Sequence, residues 1–400
     1  MNNETRKETQ VLPKDVRCVG ADDLTLSLFE NQYPVQPMGV SYNSYLILDE
    51  KIAVMDSVDA RAADEWLAKL AHELNGRSPD YLVISHMEPD HSGSILRLAE
   101  KYQEMKLVGN TKTFTMLRQF FGAKAPTDDR LLEVGEGETL PLGAHTLHFM
   151  LAPMVHWPEV MVAYEETEKL LFSADAFGRF GALSRTAGAP WAPQARRYYY
   201  NIVGKYGAQV QALLKKAAAL EIETICPLHG PVLTGEALGE ALRLYDLWSR
   251  WQSEAPEEIL LAHASIHGNT ARAAELFKQK LEAAGTRVTL CDLTATEVSY
   301  AVASAFYCGR LVLACSTYDG GLFPPMEEFL THLQAKGFRS RTVGLIENGS
   351  WAPAAARLMR AKLEEMKDLR VCGTVVSLRS ALSPASEAQI DALTTELCAK

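Results

Sequence analysis

The chain has 400 residues, 47% of them hydrophobic, and a formal net charge of -10. At roughly 100–200 residues per domain this predicts two or three domains, each with its own core, and the acidic balance argues against nucleic-acid binding as the main role. No run approaches the roughly 18 apolar residues needed to span a bilayer, and residues 1–10 are polar rather than signal-like, so a cytoplasmic protein with no membrane attachment is expected.

The first ten or so residues are expected to form a mobile tail. Segments 24–29, 42–48 and 52–55 read as strands, alternating or continuously apolar, with Asp49-Glu50 as a turn. Residues 60–74 repeat apolar positions at helical spacing. The apolar run Tyr81-Leu-Val-Ile-Ser85 then delivers His86-Met-Glu88-Pro-Asp90-His91-Ser-Gly93. Two imidazoles and two carboxylates this close together have the composition of a metal site. In an extended or loosely coiled loop His86 and Glu88 project to one side, while Asp90 and His91 are displaced enough to reach a second ion. Pro89 stiffens the loop and lowers the entropy lost on coordination. A polar surface loop would explain any one of these residues; it explains the four together poorly.

A helix over 94–102, a strand at 107–109, a helix over 111–121 and strands over 131–134 and 145–150 follow, a mixture of helices with many antiparallel strands. Three further apolar runs end on a ligand-type side chain: 151–155 reaches His156-Trp-Pro158, 169–173 reaches Asp175, and 224–228 reaches His229-Gly230. Singly each is an ordinary turn residue; together they repeat the pattern at 86–91. The seven cysteines contain no Cys-x-x-Cys pair, which argues against a disulfide framework and against a tetrathiolate centre.

A tryptophan-bearing helix over 235–251 and a short polar link lead to the second half. The strand over 259–262 runs into Ser265-Ile266-His267-Gly268-Asn269-Thr270 and then a helix over 271–284. Strand, small-and-hydroxyl loop and helix amino terminus make an anion cradle of backbone amides, hydroxyls and helix dipole. The loop lacks the lysine of a nucleoside-triphosphate P-loop and resembles the phosphate loop of flavodoxins. Strands over 287–291, 311–315, 342–346 and 370–376 alternate with helices, predicting a doubly wound parallel five-stranded sheet whose ligand sits beyond the carboxyl ends of the strands. Two loops fall at that edge: Ser316-Thr317-Tyr318-Asp319-Gly320-Gly321 and Asn348-Gly349-Ser350-Trp351. They offer aromatic faces, glycines and amides for an isoalloxazine ring, so FMN is expected.

The series His86-x-Glu88-x-Asp90-His91, His156, Asp175, His229 resembles the flavodiiron proteins, as do Leu28-Phe29-Glu30-Asn-Gln-Tyr33-Pro34, Gly39-Val-Ser-Tyr-Asn-Ser-Tyr45 and Arg197-Tyr-Tyr-Tyr-Asn201. The resemblance covers nearly the whole chain. It implies a metallo-β-lactamase-like αβ/βα sandwich over 1–253, followed by a flavodoxin-like FMN-binding domain over 254–400. It also implies two Fe ions, one held by His86, Glu88 and His156, the other by Asp90, His91 and His229, with Asp175 bridging. Zinc hydrolases of this fold usually carry histidine where Glu88 stands, so the likeness is to the iron branch, and the nitrogen and oxygen donor set suits iron. The same donors also suit zinc or manganese. The implied activity is reduction of dioxygen to water or of nitric oxide to nitrous oxide, in a head-to-tail homodimer or a dimer of dimers. No Cys-x-x-Cys follows the second half, so the expected electron donor is a separate rubredoxin or reductase. Trp157 and Tyr199 are candidate pocket residues that could donate a proton or hydrogen bond. Two rivals are a zinc hydrolase with an accessory flavodoxin-like module, and an electron carrier with a vestigial metal site.

Overall fold

A computed structural model of the chain describes residues 12–399, and the tail expected at the amino terminus lies outside them. The chain forms two compact units. One comprises the chain to Tyr199 with Ala208–Asp246; the other comprises Tyr200–Gly207 with Leu247–Lys400.

The first unit holds two six-stranded sheets. One runs Val16–Cys18, Tyr45–Ile47, Ala53–Met55, Tyr81–Val83, Lys106–Gly109 and Leu131–Glu133 in spatial order, parallel from Ala53–Met55 onward. The other runs Thr139–Pro141, Thr146–Leu151, Met161–Glu165, Leu170–Phe172, Thr224–Cys226 and Leu233–Thr234, antiparallel except where Leu170–Phe172 pairs with Thr224–Cys226. Alternation along the strands sends Met55, Val83 and Val108 from the first sheet and Phe149, Met161 and Phe172 from the second into one buried cluster. The helix Ala63–Leu74 buries Trp66, Leu70 and Leu74, one apolar stripe at helical spacing, with Asp64 and Glu65 in its first turn where the helix dipole favours acids.

Several expected elements are shorter, for local reasons. Residues 24–27 are not strand, because the Asp23 carboxylate accepts hydrogen bonds from the amides of Thr25 and Leu26 and so ties the segment into a side-chain turn. The strand expected over 151–155 ends at Leu151: Pro153 has no amide to continue the ladder and Met154 takes a positive φ of 66°. The stretch after Glu88 is not extended either. Pro89–Ser92 forms one helical turn with Pro89 at its first position, where a missing amide costs nothing.

The second unit carries the expected parallel sheet. Five strands lie in the order Val288–Asp292, Ala255–Ala264, Cys308–Tyr318, Thr342–Asn348 and Arg370–Leu378, all parallel, and a short sixth, Gly321–Leu322, pairs antiparallel with the end of Cys308–Tyr318. Helices Asn269–Ala283 and Pro384–Cys398 supply Phe277, Leu281, Ile390 and Leu393 to a core that also takes Ile259, Val312 and Ile346 from the strands. The short piece Tyr200–Gly207 belongs to this unit through Tyr200, whose ring stacks on Phe306 with centroids 4.0 Å apart. Among the described residues no helix is long and apolar enough to cross a membrane.

Candidate functional sites

Strand ends of both sheets in the first unit deliver side chains to one place. His86 and Glu88 follow Tyr81–Val83, Asp90 and His91 come from the helical turn Pro89–Ser92, His156 from the turn after Leu151, Asp175 from the loop after Leu170–Phe172, and His229 from the loop after Thr224–Cys226. The ligand-type atoms of His86, Glu88, His156 and Asp175 all lie within 4.8 Å of one another, as do those of Asp90, His91 and His229.

Asp175 joins the two groups. Its Oδ2 is 3.0 Å from His156 Nε2 and 3.6 Å from His86 Nε2, while Oδ1 is 3.2 Å from His91 Nε2 and 3.6 Å from His229 Nε2. One carboxylate therefore presents one oxygen to each histidine pair. Glu88 Oε2 closes the first group at 3.1 Å from His156 Nε2 and 3.3 Å from His86 Nε2; Asp90 Oδ2 closes the second at 3.3 Å from both His91 and His229.

The far sides of the rings are held as well. His86 Nδ1 is 2.8 Å from Glu159 Oε1, and His229 Nδ1 is 2.7 Å from the carbonyl oxygen of Ser41. With Nδ1 engaged as a donor, each ring turns Nε2 and its lone pair inward. Trp157 packs edge-on against His86, centroids 5.2 Å apart, and against His156 at 6.3 Å. Tyr199 is buried with its ring against Tyr245 at 5.0 Å. The tyrosine whose ring lies 5.5 Å from His229 is its neighbour Tyr198, and the Tyr198 hydroxyl is buried with no hydrogen-bond partner among the described residues.

The electrostatics show what this cluster needs. Burial opposes charge on His86, but its hydrogen bonds with Glu159 and Glu88 outweigh it and hold the ring well above the usual histidine range. Burial is likewise outweighed at His156, which contacts with Asp175 and Glu88 push up to about 9. Asp175 is held well below the usual carboxylate range, burial being overcome by the charge of His91 and the hydrogen bond with His156. Burial raises the Tyr198 hydroxyl far above its ordinary value, and the charges of Asp175, Asp90 and Glu88 add to the effect. Two buried carboxylates and the half-buried Glu88 demand positive charge, and both oxygens of Asp90 and Oδ1 of Asp175 are buried without a hydrogen-bond partner among the described residues. Buried carboxylate oxygens converging on inward imidazole nitrogens fit a pair of metal ions, and the thiol-free donor set suits iron, zinc or manganese.

In the second unit a cleft of about 560 Å³ opens at the carboxyl ends of the strands. Ser265, Ile266, His267, Asn269 and Thr270 line it from the first loop, Ser316, Thr317, Tyr318, Asp319 and Gly320 from the second, and Asn348, Gly349, Ser350 and Trp351 from the third. Ala352 and Ser380 line it too, without having been expected. Gly268 and Gly321 stand outside the lining. Gly268 instead caps the helix Asn269–Ala283 at a φ of 87°, a conformation that favours glycine. Several polar groups of the lining are already paired with each other: Thr270 Oγ1 lies 2.8 Å from Ser316 Oγ, and Asn348 Nδ2 donates to Thr270 Oγ1 at 3.2 Å. Thr317 Oγ1 accepts from the amides of Ala354 and Ala355 and so anchors the third loop's helix. Ser380 lies beyond the last strand, and its exchange of hydrogen bonds with Asn348 and the hydrogen bond its Oγ donates to Ser350 Oγ at 2.7 Å bring it to the cleft. At the rim Tyr318 is 44% and Trp351 88% exposed. No lysine or arginine lines the cleft, so an anionic group there meets amides, hydroxyls and a helix end. A flat aromatic ligand with a phosphate tail fits these features.

Residues 40–230 match the family model described as ODP family beta lactamase. The chain is 28% identical over 356 residues to a rubredoxin-oxygen oxidoreductase of Megalodesulfovibrio gigas, covering 87% of each chain. It is 27% identical over 358 residues to a nitric oxide reductase of Moorella thermoacetica, covering 87% of this chain and 88% of that one. Among solved structures it is similar to rubredoxin oxygen:oxidoreductase from Desulfovibrio gigas, with a TM-score of 0.89, 26% identity and 97% of both chains covered. The crystal structure of the flavodiiron protein from Giardia intestinalis is similar at a TM-score of 0.86 and 25% identity, with 97% of this chain and 95% of that one covered.

Proposed function

The chain belongs to the flavodiiron protein family, and from that premise we propose that it is an oxidoreductase reducing dioxygen to water, nitric oxide to nitrous oxide, or both. The observation that carries the reading is Asp175, whose two oxygens face two separate histidine pairs, each pair closed by one further carboxylate. His86, Glu88 and His156 would hold one iron, Asp90, His91 and His229 the other, and Asp175 both. FMN would lie in the cleft of the second unit, with its phosphate at the loop 265–270 and its ring beside Tyr318 and Trp351. The division of labour would fall at 253 and 254, a diiron domain before it and an FMN domain after it, although Tyr200–Gly207 and residues 247–253 group with the second unit.

Bound there, an iron pair and a flavin supply stores for single and paired electrons. The protein contributes position and protons. Asp175 fixes how far apart the two histidine pairs stand, and Glu159 and Ser41 fix the rings of His86 and His229. Phe29 and Tyr198 wall His229 with apolar ring surface, centroids 5.3 and 5.5 Å away, which keeps bulk water out. Dioxygen reduction consumes as many protons as electrons, and the buried Tyr198 hydroxyl, which feels the charges of Asp175, Asp90 and Glu88, is a candidate donor. A rubredoxin or a reductase supplies the electrons, two or four copies of the chain assemble head to tail, and the setting is cytoplasmic, a reading supported by seven cysteines that are all free.

Anaerobic reduction of the protein carrying FMN and iron, followed by stopped-flow mixing with each gas, tests this directly. Fast reoxidation of the flavin by dioxygen or nitric oxide is expected. Two zinc ions per chain with ester hydrolysis and no gas-dependent reoxidation would reject it in favour of a hydrolase.

A further inference from the structure

The two halves of the metal centre have matching donors but unequal backing. Behind the first half, Glu159 Oε1 lies 2.8 Å from His86 Nδ1 and accepts the amide of Met87 at 2.9 Å. Glu159 is 1% exposed, and its second oxygen, Oε2, is buried with no hydrogen-bond partner among the described residues. Behind the second half, among the described residues, no carboxylate hydrogen-bonds the far nitrogen of a ring; the buried Asp56 carboxylate acts on His91 and His86 through charge alone. His229 Nδ1 meets the neutral carbonyl of Ser41 at 2.7 Å, and His91 Nδ1 is buried with no partner among the described residues. Glu159 is fixed from its backbone as well, since Asn110 Nδ2 donates to its carbonyl oxygen at 2.6 Å.

A carboxylate on the far nitrogen of a ligating imidazole makes the inward nitrogen a stronger donor and puts a negative charge one ring away from the ion. A backbone carbonyl orients the ring without adding that charge. Glu88 and Asp90 match as direct ligands, Asp175 is shared and Asp56 acts on a ring of each half, so the carboxylate hydrogen bond from Glu159 is what sets the halves apart. We propose that Glu159 is a positioning residue that makes the centre asymmetric, so that the half built from His86, Glu88 and His156 takes up a divalent cation first and holds it more tightly than the half built from Asp90, His91 and His229. The inference rests on the reading of this cluster as a two-metal site.

Titration of the metal-stripped full chain with Co2+, followed by its visible ligand-field bands, reads the two affinities. The native protein should bind in two steps. Glu159→Gln keeps the size and a hydrogen-bond acceptor for His86 but removes the charge; it should weaken the tighter step by about 10- to 100-fold and leave the weaker one unchanged. Anomalous scattering from native crystals carrying a single equivalent of Co2+ locates the first ion without any variant, and it should lie among His86, Glu88 and His156. Equal steps in the native protein, a first ion among Asp90, His91 and His229, or equal weakening of both steps in Glu159→Gln would each overturn the asymmetry. Failure of the native protein to bind Co2+ at all would instead overturn the two-metal reading beneath it.

Discussion

Nε2 of His91 stands 3.1 Å from Nε2 of His229, both rings fully buried. Two imidazole nitrogens at that distance cannot both carry protons along the line between them, and each lone pair needs a positive centre. Asp90 Oδ2, 3.3 Å from both, points at the same place. Stability of the first unit should therefore depend on metal. Removing it with a chelator should lower the melting temperature, and restoring Fe2+ at about a thousand times its dissociation constant should return about 4 kcal/mol, on the order of 10 °C. Differential scanning calorimetry with and without metal checks this; identical melting would contradict it.

Asp175 faces both histidine pairs, so its loss should be felt by both ions. Asp175→Ala is expected to reduce bound iron in both halves and to abolish flavin reoxidation by either gas, while FMN remains bound in the other unit. Elemental analysis with flavin absorbance separates this from misfolding, which would lose the flavin too. Retention of both irons by the variant would contradict the bridging role.

The clustering of these side chains was legible because four ligand-type residues crowd into 86–91 and because apolar runs announce where His156, Asp175 and His229 emerge. Glu159 was not, since a lone glutamate in the turn before a strand looks like a solvated residue until the fold turns it onto His86. Tyr198 and Tyr199 are adjacent in a run of three tyrosines, and only the helical phase of Trp191–Tyr198 and the turn that follows decides which ring meets His229. The parallel sheet was plain from its alternation of apolar runs and helices. The breaks at 24–27 and after Leu151 depended on a side-chain turn and on a single proline, signals too local to stand out against the apolar pattern.

That adjacency gives a comparison between neighbours. Tyr198→Phe removes a hydroxyl that feels the charges of the carboxylates, whereas Tyr199→Phe removes one from a ring packed on Tyr245 and leaves that packing in place. The first should slow gas-dependent reoxidation by about 100-fold if it supplies a proton, with iron content unchanged. The second should leave the rate nearly as it was. Equal rates for Tyr198→Phe and the native protein would remove the hydroxyl from the mechanism.

Trp351 is the most exposed large aromatic on the described surface, at the mouth of the cleft. A ring left this open gains its contacts from a ligand. Trp351→Ala should weaken FMN binding by about 0.5–1.5 kcal/mol, roughly a 2- to 10-fold increase in Kd, with no change in metal content. Fluorescence titration of the flavin-free protein measures it, and an unchanged Kd would place the isoalloxazine elsewhere.

His263 gives the fold of the second unit a pH dependence of its own. It sits on the strand Ala255–Ala264, 4% exposed, and burial lowers its pKa, with Asp292 and Glu275 opposing. The folded protein thus resists a proton that the unfolded chain accepts at the ordinary histidine value. The stabilising effect is complete above about pH 6.5 and is lost as pH falls toward the depressed folded value, at up to about 1.4 kcal/mol per pH unit. His332, lowered chiefly by burial, acts in the same direction. With iron and FMN bound, so that the ligating histidines do not titrate, release of flavin fluorescence on heating should occur at lower temperature at pH 5.5 than at pH 7.5. His263→Gln, which cannot take up the proton, should show a smaller drop between the two. An equal drop in both proteins would mean that His263 does not carry the effect.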